Sequence, residues 1–280
     1  MNEWLKNFTA HCTVEDGYQD ISSDVSLRLI TFTPVGSSNR PSVVFVAGWV
    51  SQIEGWTEVL KEMTREFIVY YIETREKVSS KLSGNPRFDV NTIGDDLVQL
   101  VRRLRLKDRR FMMFGSSLGA TVILDCYKRL ESKPSHLILI APNAEFRMPP
   151  IWKIIILLFY PPLYFLIKPW IKWYLKLFRM NVKKDTAQYE KYCRALDGAD
   201  PRKLKPAALA FSKYKIWPVL KTVDVPVLIC GGSQDKLHEP ENLKQMVENL
   251  LQAEYIDLET NTRTHSGEVV RAMICFIEKR

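Results

Sequence analysis

Gly115-Ser116-Ser117-Leu118-Gly119 stands between an apolar run, Phe111 to Phe114, and a helical stretch, Ala120 to Leu130. A Gly-x-Ser-x-Gly pattern therefore falls where a strand turns into a helix. A serine hydroxyl is a poor nucleophile at neutral pH. A sharp strand-to-helix turn lifts it into a cleft, where a base can reach it and the helix N-terminus favours developing negative charge. The flanking glycines are expected to let the backbone make the turn. A five-residue pattern this loose also arises by chance, as an ordinary Gly and Ser loop. The remaining chain supplies the test, because such a serine needs a base and an acid, and on an open parallel sheet these follow later strands in the order Ser, acid, His.

Both follow. Pro226 to Cys230 is a short β-rich run, and Gly231-Gly232-Ser233-Gln234-Asp235 puts Asp235 in the loop at its C-terminal end. Ala253 to Leu258 reads as the next strand, and His265 comes before a final amphipathic helix, Gly267 to Lys279. Among the four histidines, His11 lies in the leading segment, His136 abuts the start of the strand Leu137 to Ile140, and His238 opens a helix, Glu239 to Leu251. Topology favours His265 over His238. For the acid, Asp224 precedes its strand, and Glu145, just past the strand ending at Ile140, is the serious rival to Asp235.

With Ser117, Asp235 and His265 placed in this order, the chain resembles the α/β-hydrolase family of serine hydrolases from about Val25 to its C-terminus. The resemblance implies Ser117 as nucleophile, His265 as general base and later acid, and Asp235 as the carboxylate that fixes the imidazole tautomer. It also implies an oxyanion hole made by the backbone N–H of Leu118 and that of Trp49, in the loop after the strand Val43 to Val46. That loop reads Ala47-Gly48-Trp49, where many relatives begin with His-Gly. Losing one such donor typically costs roughly 2.7–4 kcal/mol of transition-state stabilisation. No metal or organic cofactor is needed. An Asp nucleophile, as in dehalogenases and epoxide hydrolases of this fold, is argued against by Ser117.

The elements around these residues fit an α/β fold with a mostly parallel central sheet and helices on both faces. Val25 to Phe32 alternates like a half-buried edge strand and Phe67 to Ile72 is another strand. Ile93, Leu97, Leu100, Val101 and Leu104 repeat at the helical period, as do Leu243, Met246, Val247, Leu250 and Leu251. The chain has 280 residues, 46% of them hydrophobic, enough for one large core or a core with an insertion. The five cysteines are scattered without metal-ligand spacing, which favours a reducing compartment. Met1 to Cys12 lacks the apolar stretch of a signal peptide. A cytoplasmic location, peripheral on the inner membrane face, is expected.

The division is expected to be residues 1–145 and 216–280 as the core and 146–215 as a helical cap. Ile154 to Ile167 is fourteen residues without a charge, too short for the about 20 apolar residues of a spanning helix. Beyond it Trp170, Lys172, Trp173 and Lys176 mix cations with aromatic rings at helical spacing. From Phe146 to Lys184 there are eight basic residues and no acidic one, matching the whole chain's net charge of +8. Such a segment suits the surface of an anionic bilayer. Alternatively its apolar face packs on the core and lines an acyl pocket. Nucleic acid is the weaker partner, since no nucleic-acid motif accompanies the charges.

The expected chemistry is two-step acyl transfer to water on a lipid-like carboxylic ester, as in a carboxylesterase or a lipase acting on monoacylglycerol or lysophospholipid. A thioesterase, a peptidase, an acyltransferase or a carbon–carbon hydrolase would use the same triad. A non-catalytic, membrane-associated binding protein of the same fold is the alternative of a different class. Oligomeric state is not readable from the sequence.

Overall fold

The structure is a computed structural model that describes residues 3–36, 38–146, 156–158, 160–179, 182, 186–235 and 240–279. Arg147, Lys153, Lys183, Lys184 and His238, and part of the apolar run (154–155 and 159), lie outside the described residues.

Among the described residues nine strands form one sheet: β1 (Cys12–Ser22), β2 (Val25–Pro34), β3 (Ser42–Val46), β4 (Val69–Ile72), β5 (Lys81–Leu82), β6 (Phe111–Ser116), β7 (Leu137–Ile140), β8 (Val227–Gly231) and β9 (Ala253–Asp257). Their order is β1-β2-β4-β3-β6-β7-β8-β9, with β5 pairing β2. From β4 through β9 the pairs are parallel, while β2 pairs β1, β4 and β5 antiparallel. The expected α/β architecture is thus present. Val25 to Phe32, however, is not at the edge. β1 flanks it, and its sequence hid it: residues from Glu15 to Gln19 are mostly exposed, so neither face shows an apolar alternation. Charged, polar edges of this kind block unwanted pairing.

The parallel strands are buried on both faces. Val44 and Val46 of β3 pack with Ile93 and Leu97 of α2 (Val90–Arg103) and with Val122 and Ile123 of α3 (Leu118–Cys126). Val43 and Phe45 face the other way, onto Val59, Leu60 and Met63 of α1 (Thr57–Met63) and onto Val269 and Met273 near the C-terminus. A residue-by-residue alternation between two helical layers follows from the period-2 geometry of a strand. Asp89 caps α2 by accepting from the Thr92 N–H at 3.0 Å.

Between β7 and β8 lie the helices α4 (Tyr164–Tyr174), α5 (Thr186–Asp197), α6 (Pro201–Phe211) and the short α7 (Trp217–Leu220). A π-helical turn, Leu175–Arg179, extends α4. α5 ends at Asp197, Asp200 accepts from the Arg202 N–H at 2.9 Å, and Pro201 opens α6. Ala207, Phe211 and Ile216 belong to the buried core, which fixes this end of the insertion. The fold closes with α8 (Pro240–Asn249), α9 (Asn261–Thr264) and α10 (Gly267–Glu278). No helix among the described residues is long and apolar enough to cross a membrane.

Candidate active site

β3 sits between β4 and β6, so the chain leaves β3 to one side and returns on the other. The loops after β3 and β6 diverge there and leave a crevice at the strands' C-terminal ends, where ligands bind in open α/β sheets. Ser117 follows β6 and Gly48-Trp49 follows β3, so both border that crevice.

Ser117 has φ 49° and ψ −117°, a combination that a type II′ turn gives to glycine at its first central position. The strain therefore lies on the serine itself, not on the neighbouring glycines. Those supply room. A Cβ at Gly119 would lie 2.1 Å from the Val46 carbonyl oxygen, and one at Gly48 would meet the Ser117 Cβ at 3.2 Å. The turn is pinned from below by the Ser117 N–H donating to the Ile140 carbonyl at 2.8 Å. Leu118 is the first residue of α3, so its N–H is among those that have no partner within the helix. Asn143, just past β7, donates from Nδ2 to Ser117 Oγ at 2.8 Å. Thr121 Oγ1 holds Asn143 in turn, donating to its carbonyl at 2.9 Å.

His265 lies at the C-terminal end of α9, its ring 4.1 Å from that of Trp56 between centroids. Its Nδ1 is 2.9 Å from the Asn261 carbonyl oxygen and its Nε2 is 3.1 Å from Lys191 Nζ, on α5. A carbonyl can only accept and an ammonium can only donate. The imidazole therefore carries its proton on Nδ1 and a lone pair on Nε2, the tautomer a general base needs.

Asp235 is buried, 4% exposed, in the loop after β8. Its carboxylate accepts from Asn261 Nδ2 at 2.9 Å and from Gln188 Nε2 at 3.1 Å. Among the described residues the contacts from the acid to the imidazole thus run through Asn261, whose side chain meets Asp235 and whose carbonyl meets His265. Lys191 Nζ also reaches Asn261 Oδ1 at 2.5 Å. Burial and the Asp235 charge together push the Tyr192 hydroxyl well above its ordinary pKa.

The rivals among the described residues are placed elsewhere or are engaged. His11 Nε2 sits 3.0 Å from Thr64 Oγ1, and His136 packs against Phe276 at the opposite end of β7. Asp224 accepts from the Tyr127 hydroxyl. Glu145 borders the crevice but pairs with Lys215 at 3.3 Å, where a one-residue β-bridge joins the two.

The crevice opens into a cavity of about 530 Å³ bordered by Trp49, Ser117 and His265 and by Ile167, Ile171 and Tyr174 of α4. Trp49 stands edge-on to Phe211, centroids 5.4 Å apart. Beside the cavity, the Tyr214 hydroxyl donates to Asp125 at 2.6 Å and Ile216 is in the core. Away from the cavity, α4 and the turn after it leave Phe165, Leu166, Trp170, Trp173, Leu177 and Phe178 exposed. Lys168 and Lys172 both pair with Asp197 at 2.8 Å.

Sequence reasoning missed Asn143, Gln188, Lys191 and Asn261. Gln188 and Lys191 share a face of α5 at i, i+3 spacing, and Asn261 sits four residues before His265, so only spacing could have suggested them.

Sheet order, turn and crevice define an α/β-hydrolase. More narrowly, the chain belongs to the family described as "Serine aminopeptidase, S33", whose profile matches residues 37–258. No curated protein matches it by sequence. Among solved structures it is similar to an esterase of Thermogutta terrifontis, with a TM-score of 0.74, 17% identity and 95% and 98% of the two chains covered. It is also similar to the enol-lactonase of Burkholderia xenovorans, at 0.76 and 14% over 94% and 100%. A bacterial membrane phospholipase A matches at 0.71 and 13% over 95% and 86%.

Proposed function

We propose that the protein is a serine hydrolase that cleaves lipid-like carboxylic esters through an acyl-enzyme. The observation that carries this reading is the non-glycine backbone at Ser117, held at φ 49° with its hydroxyl in a cavity that His265 also borders. Ser117 Oγ adds to the ester carbonyl carbon while His265 Nε2 takes its proton. The carbonyl π electrons move onto the oxygen, which the amides of Leu118 and Trp49 hold. Collapse breaks the C–O bond, and the alcohol leaves with the proton from His265. Water then repeats the cycle on the acyl-enzyme. Asp235 acts here through Asn261, fixing α9 and with it the imidazole. Lys191 has to release Nε2 before His265 can take the serine proton.

The aliphatic and aromatic border given by α4 suits an acyl chain, and residues 146–215 act as a cap. The exposed rings of α4 suit a lipid surface. The sharing of Asp197 by Lys168 and Lys172 makes that contact chiefly apolar, with less of the electrostatic attraction expected from the basic residues alone. The peptidase activity in the family's description would require the cleft to accept a free α-ammonium, which the Lys191 ammonium at His265 repels.

Labelling with a fluorophosphonate probe tests the reading. Ser117→Ala should abolish labelling and turnover, and Lys191→Met should label faster than the wild type. Labelling that survives in Ser117→Ala would sink the assignment. Rates on ester substrates should rise from acetyl to longer acyl chains, and a sharp preference for acetyl would remove the lipid-like substrate.

A further inference from the structure

Lys77, in the segment after β4, is 6% exposed. Its Nζ donates to the Gly48 carbonyl and, at 2.9 Å, to the Ser51 carbonyl, the two ends of the turn that carries Trp49. An ammonium taken out of water is costly unless it is well bonded, and it is usually neutralised by a carboxylate. Among the described residues Lys77 bonds to backbone oxygens instead. The acids that act on its charge, Glu76 and Glu73, are not among its hydrogen-bond partners. One Glu76 oxygen accepts from Thr74 Oγ1 at 2.7 Å while the other, buried Oε2, has no hydrogen-bond partner among the described residues, and Glu73 accepts from Ser79 Oγ and pairs with Arg28 at 3.5 Å.

Gly48 C=O and Trp49 N–H are two ends of one peptide group. A cation on the carbonyl draws density towards oxygen, strengthens the C–N double-bond character and leaves the N–H more positive. Hydrogen bonds in series reinforce one another in this way by about 10–30% per bond, and charged donors are about twice as strong as neutral ones. We propose that Lys77 is a positioning residue for the oxyanion hole: its ammonium polarises the Gly48–Trp49 peptide and holds its turn, so that the Trp49 amide stabilises the substrate oxyanion more strongly than the ground-state carbonyl. This rests on the reading of Trp49 N–H as an oxyanion donor. The turn needs holding, since Val50 sits at φ 51°. Lys203, on α6, donates to the carbonyls of Lys77 at 2.6 Å and Ser80 at 2.7 Å and fixes the Lys77 segment from the far side.

The experiment compares wild type, Lys77→Met and Lys77→Arg by ester kinetics and by binding of an alkyl boronic acid. Ser117 Oγ adds to boron, its proton passes to His265, and the adduct is a tetrahedral anion like the transition state. Removing a whole oxyanion donor costs about 10²–10³ in kcat. Removing only its polarisation should cost about 10- to 100-fold in Lys77→Met, in kcat and in boronate affinity alike. KM should stay within about threefold, and Lys77→Arg should recover most of the loss. A folded Lys77→Met with kcat and boronate affinity within twofold of wild type would overturn the proposal, as would equal losses in both variants with a raised KM. If Lys77→Met does not fold, Lys77→Gln replaces it with the same readouts. Loss of labelling in Ser117→Ala beside full activity in Lys77→Met would refute this role alone and leave the hydrolase reading standing.

Discussion

At most sites in a folded chain alanine is more stable than glycine by roughly 0.5–1 kcal/mol, because glycine loses more backbone freedom on folding. At Ser117 the order should invert. Its φ of 49° and ψ of −117° fall where a Cβ meets the backbone, and such residues carry strain of order 1–3 kcal/mol. Ser117→Ala keeps the Cβ and the strain, whereas Ser117→Gly releases it. Both variants lose the same hydrogen bond from Asn143 Nδ2, so that term cancels. Subtracting glycine's cost of 0.5–1 from a relief of 1–3 leaves Ser117→Gly ahead by about 0 to 2.5 kcal/mol, centred near 1. Urea unfolding of the two inactive variants, with m unchanged between them, reads this directly as a difference in midpoint. If Ser117→Ala unfolds at the higher midpoint by the ordinary margin, the serine is not strained, and the argument that its backbone marks it as the nucleophile fails with it.

Burial lowers the pKa of Lys77, against the raising pull of Glu76 and Glu73, and it lowers that of Lys203 likewise. Between the lowered value and 10.5 the unfolded chain holds a proton on Lys77 that the folded one has released, so this residue's contribution to stability rises with pH. The stability of the wild type relative to Lys77→Met, in which the thiol and phenol titrations cancel, should therefore improve as pH rises through that window. A difference independent of pH there would refute the burial argument. On α4, replacing Trp170 and Trp173 together by Ser should weaken co-sedimentation with anionic vesicles by at least tenfold, since a large apolar side chain contributes about 2 kcal/mol on burial. Raising salt from 0.1 to 0.5 M should matter less than the double substitution, because Asp197 already neutralises one of the two lysines that it binds. Unchanged sedimentation of the double variant would return α4 to a purely structural role.

The central strands were legible because parallel strands buried on both faces read as unbroken apolar runs, as in Ser42–Val46 and Leu137–Ile140. Their helices were legible because Ile93, Leu97 and Leu100 recur at the helical period. β1 was not, since an edge strand solvated on both sides has no reason to alternate. The position of Ser117 was legible for a related reason: a strand's end, a small-residue turn and a helix's start follow one another in sequence, so the local code contains the whole device.

What lies beyond it is pairing between segments far apart in the chain. Lys191 meets His265 across 74 positions, Gln188 meets Asp235 across 47, and Lys77 meets Gly48 across 29. A lysine on an amphipathic helix reads as solvated, because nothing local distinguishes one that ends on an imidazole from one that ends in water. The same limit explains the acid. Sequence order places Asp235 after the right strand, but whether the carboxylate meets the imidazole itself or reaches it through Asn261 depends on where α9 docks. That docking is set by buried hydrogen bonds whose partners come from α5, the loop after β8 and α9 at once. A position in the chain order can nominate a catalytic group. Only the packing of those three elements decides what the group touches, and here that packing gives Asn261 a share in orienting His265.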